Sequence, residues 1–165
     1  METARTASLI AAVVTTGLVS GLFWGFAVAV MPALRGAGDR TAVEVMQRVN
    51  VSILNGWFLA GFVGAPLFTG LALVLHLPAD GREVLPPLIA AFVASVLALI
   101  VTGRVNIPLN NALEQAGPAD GLADPAAVRR AFEGPWVRAN VWRTLLCTAA
   151  TGLLAWALVL YGQSR

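Results

Sequence analysis

Residues 84–103 read VLPPLIAAFVASVLALIVTG, an unbroken apolar run without a charge. A helix needs about 20 such residues to cross roughly 30 Å of hydrocarbon, and this run has that length. Moving outward, residues 6–34, 49–75 and 144–164 are also charge-free and long enough. Their apolar character is continuous, whereas a strand of a membrane barrel alternates apolar and polar residues, and backbone groups in lipid must satisfy one another. The fold class that follows is all-α: an integral membrane four-helix bundle, a single domain over 1–165. Its helices are expected near 7–31, 49–76, 85–105 and 140–162.

Composition agrees. The chain has 165 residues, 58% hydrophobic and 12% charged, with a mean hydropathy of +0.75. Soluble domains carry about 25% charged residues, and disordered chains lack this wealth of Leu, Val, Ile and Phe. The single Cys147 excludes a disulfide framework and a Cys-rich cluster, and the single His76 excludes sites that need two imidazoles. No cofactor and no metal are expected. A net charge of +2 could fit a nucleic-acid binder, but the 11 basic residues, all arginine, sit between apolar runs and form no basic face; no nucleic-acid partner is expected.

The first span imitates a signal peptide at Ala27-Val28-Ala29, but its apolar run is far longer than the 7–15 residues of a signal core, so a retained anchor is expected. Arg35, Arg40 and Arg48 in the first loop, with Arg104, Arg129, Arg130, Arg138 and Arg143 in the third, outnumber Arg5, Arg82 and Arg165 elsewhere. That bias puts loops one and three in the cytoplasm of a multi-pass cell-membrane protein, with both termini outside. Small residues recur at four-residue spacing: Gly17, Gly21, Gly25 and Ala29; Gly56, Ala60 and Gly64; Ala94, Ala98 and Thr102; Thr148 and Gly152 with Trp156. Such faces let helices approach closely in lipid, and the first offers a homodimer contact through Gly17, Gly21 and Gly25.

Several boundaries are also signalled. Met31-Pro32 is expected to close the first helix. Thr41 to Glu44 fits a capping box, so a helix should start there and run into the second span. Asp124-Pro125 should cap a short helix near 125–133 on the cytoplasmic side of the third loop. Residues 112–123 read as a loop, and Gly134-Pro135 as a break before the last helix. Asp39, Asp80, Asp120 and Asp124 fall in expected turns.

The polar residues gather. Gln47 and Asn50 lie a turn apart at the start of the second span, and Asn106 and Asn110 at the end of the third. Trp136, Asn140 and Arg143 share one face at the start of the fourth. Helix parity brings all seven to one mouth of the bundle. Amides and a guanidinium at the edge of a low-dielectric bundle are strong donors toward a developing oxyanion, and Trp136 is placed to stack on a flat ring. Such a pocket suits a planar phenolic or quinonoid molecule that partitions into lipid. A plainer account remains open for each residue. Amides tie helices together, Arg138 and Arg143 snorkel, and Trp57, Trp136 and Trp156 form an interfacial belt. His76 reads as interfacial and Cys147 as a buried inert thiol.

The segments Val30-Met31-Pro32-Ala33-Leu34, Met46-Gln47-Arg48-Val49-Asn50 and Asn106-Ile107-Pro108-Leu109-Asn110, with Trp136, Arg138, Asn140 and Arg143, resemble the anthrone oxygenase family. The resemblance implies a small four-span protein. It also implies a reaction in which an anthrone becomes an anthraquinone with molecular oxygen and no evident cofactor. On that basis Asn106, Asn110, Asn140 and Arg143 are the candidate catalytic residues at the oxyanion, and Gln47, Asn50 and Trp136 would bind substrate. A base must take the acidic ring proton, and Glu44, Glu114 and Glu133 each lie within a turn of the cluster. The rival reading is a non-catalytic membrane protein that uses the same mouth to bind a lipid or quinone, or to assist a partner protein.

Overall fold

A computed structural model describes residues 1–78 and 82–164 of the chain. Asp80 and Arg165, read above as a turn residue and a topological charge, lie outside them. No strand occurs among the described residues, and four helices are long and apolar enough to cross a membrane.

The first of these does not end at Met31-Pro32. Helix α1 (Glu2–Gly25) passes through a π-helical turn (Phe26–Val30) directly into α2 (Met31–Arg35). Proline removes one backbone N–H, and its ring presses on the carbonyl four residues back, here Val28. The π turn lies over that carbonyl, and its wider bonding pattern absorbs the mismatch. The third span repeats the device: α5 (Leu85–Val101), a π turn (Thr102–Asn106) and α6 (Ile107–Gln115) are continuous, with Pro108 in place of Pro32. So the helix reaches Gln115, well into the expected loop.

The second span departs furthest from expectation. Helix α3 (Asp39–Ser52) ends short of the apolar span, and α4 (Gly56–His76) begins anew. Between them Asn55 is extended; its Oδ1 accepts from the Phe58 N–H at 3.1 Å, and its Nδ2 donates to the Ser52 carbonyl at 2.9 Å. That cap starts the transmembrane helix, so Gln47 and Asn50 sit on a separate helix. The capping box is not formed either: α3 starts at Asp39 with Gly38 as its cap residue, two residues before Thr41. In the last span α7 (Pro125–Gln163) runs through Gly134-Pro135 without a break, merging the short helix with the span; Asp124 caps it as expected, accepting from the Ala127 N–H at 2.8 Å.

Around the bundle α1 neighbours α4, α4 neighbours α5, α5 neighbours α7, and α7 neighbours α1. Glycines of α4 bring it close to its neighbours. A methyl group on Gly70 would meet Phe92 at 3.1 Å, and one on Gly64 would meet Thr15 at 3.3 Å. Ala94, Ala98 and Thr102 are buried as the small-residue pattern implies. In α1 only Gly17 approaches another helix, at Thr151, while Gly21 and Gly25 face open space. A Ser20–Thr148 hydroxyl pair at 2.9 Å joins α1 to α7. The α4 helix is about 31 Å long, enough for the hydrocarbon, whereas the 34- and 39-residue helices reach about 51 and 58 Å. The excess supports a polar cap at one end. Exposed Trp24, Trp57 and Trp142 mark the interface below this cap; Trp136, expected in such a belt, is buried instead.

Candidate functional site

Three side chains fasten the cap. Arg129 donates to the carbonyls of Leu34 and Ala37 at 2.8 and 2.9 Å and pairs with Asp39 and Glu133. Arg40 donates to the Ala119 and Leu122 carbonyls. Gln47 Nε2 donates to the carbonyls of Leu113 and Gly117, both at 2.9 Å. Gln47 is therefore a tie between α3 and the end of α6, and it lies outside the cavity described next. Arg129 of the third loop and Arg40 of the first, both read as topological signals, serve as clamps.

Beneath the cap is a cavity of about 690 Å³, bounded by α1, the α3–α4 junction, α5–α6 and α7. That size suits a drug-sized ligand. Six of the seven expected site residues line it: Asn50, Asn106, Asn110, Trp136, Asn140 and Arg143. Its remaining wall is mostly apolar, with Phe23, Phe26, Phe58 and Phe62 supplying flat aromatic surface. Phe58 and Phe62, one turn apart on α4, stack at 5.2 Å, and Phe62 meets Phe23 edge-on at 6.5 Å. These aromatics were not singled out from the sequence; their four-residue spacing on an apolar helix is the signal that was there to find.

Several of the amides are already engaged. Asn140 Nδ2 donates to the Phe23 carbonyl at 3.0 Å, and its Oδ1 accepts from Arg143 at 2.9 Å. Asn110 Oδ1 accepts from the Trp136 indole at 2.9 Å. Asn106 Nδ2 reaches the Trp136 carbonyl at 3.5 Å, the limit of a hydrogen bond. Trp136 itself packs against Phe26 and Phe132.

What stays unsatisfied is informative. Buried polar groups normally find partners, yet Asn50 Nδ2, Asn106 Oδ1 and Arg143 Nε are buried without one. They come from three different helices and line the same cavity: two donors and one acceptor. Arg143 is only 6% exposed and makes no salt bridge among the described residues. Its guanidinium lies 4.2 Å from the Phe23 ring centroid and 5.4 Å from that of Trp136. Aromatic faces compensate a desolvated cation only in part. An anion or a polarised oxygen in the cavity would complete its environment.

Of the three carboxylates near the cluster, the structure brings one to the cavity. Glu44 pairs with Arg48, and Glu133 with Arg129 and Arg35. Glu114 lines the cavity at its outer rim and makes no ion pair among the described residues. No group of three His, Cys, Asp or Glu placed to hold a metal ion occurs among the described residues. At the far end of the bundle His76, the last residue of α4, is buried. Its Nδ1 lies 2.7 Å from the Ala72 carbonyl, and its ring meets Tyr161 edge-on at 5.0 Å. Cys147 is buried.

Comparison with known proteins adds one result: a family model described as anthrone oxygenase matches residues 55–153, more than half of the chain. No curated protein and no solved structure matches.

Proposed function

The chain belongs to the anthrone oxygenase family, and from that premise we propose that it is a membrane-embedded oxygenase turning an anthrone-like polycyclic phenol into a quinone. The observation that carries this reading is the buried Arg143 guanidinium, without a salt bridge among the described residues and with no partner for its Nε, in the wall of an aromatic-lined cavity. Loss of the acidic ring proton turns the substrate carbonyl into a phenolate-like oxygen. Arg143 Nε and Asn50 Nδ2 supply donors for that oxygen, and Asn106 Oδ1 accepts from a ring hydroxyl. Asn140 holds Arg143 in place, and Asn110 holds Trp136.

Glu114 takes the proton in this scheme. The anion then gives one electron to dioxygen, and the radical pair combines into a peroxide at the same carbon. Protonation and loss of water leave the new carbonyl, so a CH₂ and O₂ become C=O and H₂O without a cofactor. In this reading the mouth opens on the cytoplasmic side of the cell membrane, the side that the arginine bias favours. A homodimer through the first span would use Gly21 and Gly25, which are open, rather than Gly17, which faces Thr151.

The test is oxygen uptake by detergent-purified protein with emodin anthrone in the presence of chelator, against Arg143→Ala. Chelator-resistant uptake that the variant loses while remaining folded is the expected result. Uptake no faster than the spontaneous rate would refute the oxygenase reading and leave a non-catalytic binder of quinones or lipids. Equal loss of folded protein would make Arg143 a structural tie.

A further inference from the structure

Pro32, Pro66, Pro108 and Pro135 stand along continuous helices, and each lacks the N–H that would bind the carbonyl four residues back. Pro32 and Pro108 follow π turns, whose wider bonding takes up the mismatch. Pro135 lies in the polar cap, and Ala131, whose carbonyl it frees, is exposed. Pro66 has neither remedy. It stands at the midpoint of α4 (Gly56–His76), in regular α-helix without a π turn. At mid-bilayer depth bulk water cannot supply the donor that the Phe62 carbonyl has lost, so a neighbouring side chain or an ordered water must.

Beside it is a second unmet group. The buried hydroxyls of Thr69, Ser95, Thr102 and Thr144 each donate to the carbonyl four residues back, at 2.7 to 2.9 Å. Thr16, only 1% exposed, makes no such bond, and its Oγ1 has no partner. Thr16, Phe62, Pro66 and Ser95 line one small pocket inside the bundle, with about 10 Å³ for the centre of a molecule the size of water. That is room for one. We infer that this pocket binds a single water molecule bridging Thr16 Oγ1 and the Phe62 carbonyl. The water accepts from the Thr16 hydroxyl and donates to the Phe62 carbonyl. Its second proton goes to Ser95 Oγ, whose own proton is committed to the Ala91 carbonyl. Three partners are the usual number for a buried water, and both unmet groups are then satisfied. Phe62 also lines the main cavity and stacks on Phe58 there, so the water sits directly beneath that aromatic wall.

The sign of one substitution tests this. A buried hydroxyl with no partner is a burden, and replacing it by a methyl group of the same shape would raise stability. A hydroxyl that holds a bridging water is lost at a cost. In phosphatidylcholine nanodiscs, Thr16→Val should therefore lower the midpoint of thermal unfolding of the full chain by about 2–6 °C, on the scale of one or two hydrogen bonds. Pro66→Ala restores an N–H for the Phe62 carbonyl, so in that background the same change should cost less than half as much. A high-resolution crystal structure of the unsubstituted chain should show one water within hydrogen-bond distance of Thr16 Oγ1 and the Phe62 carbonyl, a readout that stands even where a variant fails to fold. Higher stability in Thr16→Val, equal losses in the two backgrounds, or xenon taken up under pressure where the water is expected, as in a dry apolar cavity, would each overturn the inference. None of these readouts depends on the chain turning over a substrate.

Discussion

The cap ends of the first and third spans are built alike and used differently. Each has a π-helical turn whose last residue stands two positions before a proline, and each helix continues beyond that proline. In the first span the turn carries Phe26-Ala-Val-Ala-Val30, and Phe26 packs on Trp136. In the third it carries Thr102-Gly-Arg-Val-Asn106, and its last residue lines the cavity with a buried side-chain oxygen left unpaired. The backbone device answers a proline; the side chains placed on it decide whether the end becomes packing or a binding wall. π turns at functional sites are common for this reason.

Arg143 spans the two ends, since its guanidinium lies over Phe23, just before the first π turn, and it lines the cavity together with Asn106, its Nε without a partner. Its loss should have the largest effect. Arg143→Ala is expected to lower turnover of emodin anthrone by about 10²–10³, the range for an oxyanion donor. Arg143→Lys, a point charge that lacks the Nε donor, should recover only part of this in the same uptake assay. Next in size is Glu114→Gln, expected to reduce the rate about 100-fold with little change in ligand binding. Glu133→Gln, at a carboxylate tied to Arg129, should instead lower stability and leave the rate per folded molecule intact.

The comparison itself is sharpened by the prolines. Pro108→Ala lets the polar turn relax and moves Asn106, so binding of a phenol should weaken about tenfold, on the scale of one lost hydrogen bond. Pro32→Ala, at the apolar end, should leave binding unchanged. Equal losses in both would mean that the two ends are one mechanical unit. An effect on stability alone is expected in Gln47→Leu, which removes two hydrogen bonds to Leu113 and Gly117 outside the cavity. It should cost about 1–3 kcal/mol of stability, read by thermal unfolding, without altering ligand affinity.

The number of spans and the meeting of Asn50, Asn106, Asn110, Trp136, Asn140 and Arg143 at one mouth were legible because both follow from charge-free length and helix parity. The break at Ile53–Asn55 was not, because hydropathy reads through an apolar gap. The available sign was local: an Asn-Gly pair ahead of an apolar run, with the asparagine capping the helix. Helix ends were misjudged at Met31-Pro32 and Gly134-Pro135 because proline stops helices in water-exposed settings. Within a bundle, a π turn and neighbouring helices can carry the chain past it. Which way an amide points, and hence that Asn140 is engaged while Asn50 is free, depends on packing partners far away in the chain. The choice of Glu114 over Glu44 and Glu133 likewise waited on the arginines that engage the other two.

The π turn of the third span has a genetic consequence. Deleting a single codon within Thr102–Asn106 would leave composition, span length and insertion into the membrane essentially untouched. A π turn holds one residue more than an α turn, so the shortened segment would close as ordinary α-helix and Ile107–Gln115 would keep its register, with Asn110 and Glu114 still at the cavity. What would go is the local bulge that places Asn106. Such an allele would make a normally inserted protein altered at one wall of the site, and no survey of hydropathy would tell it from the intact chain.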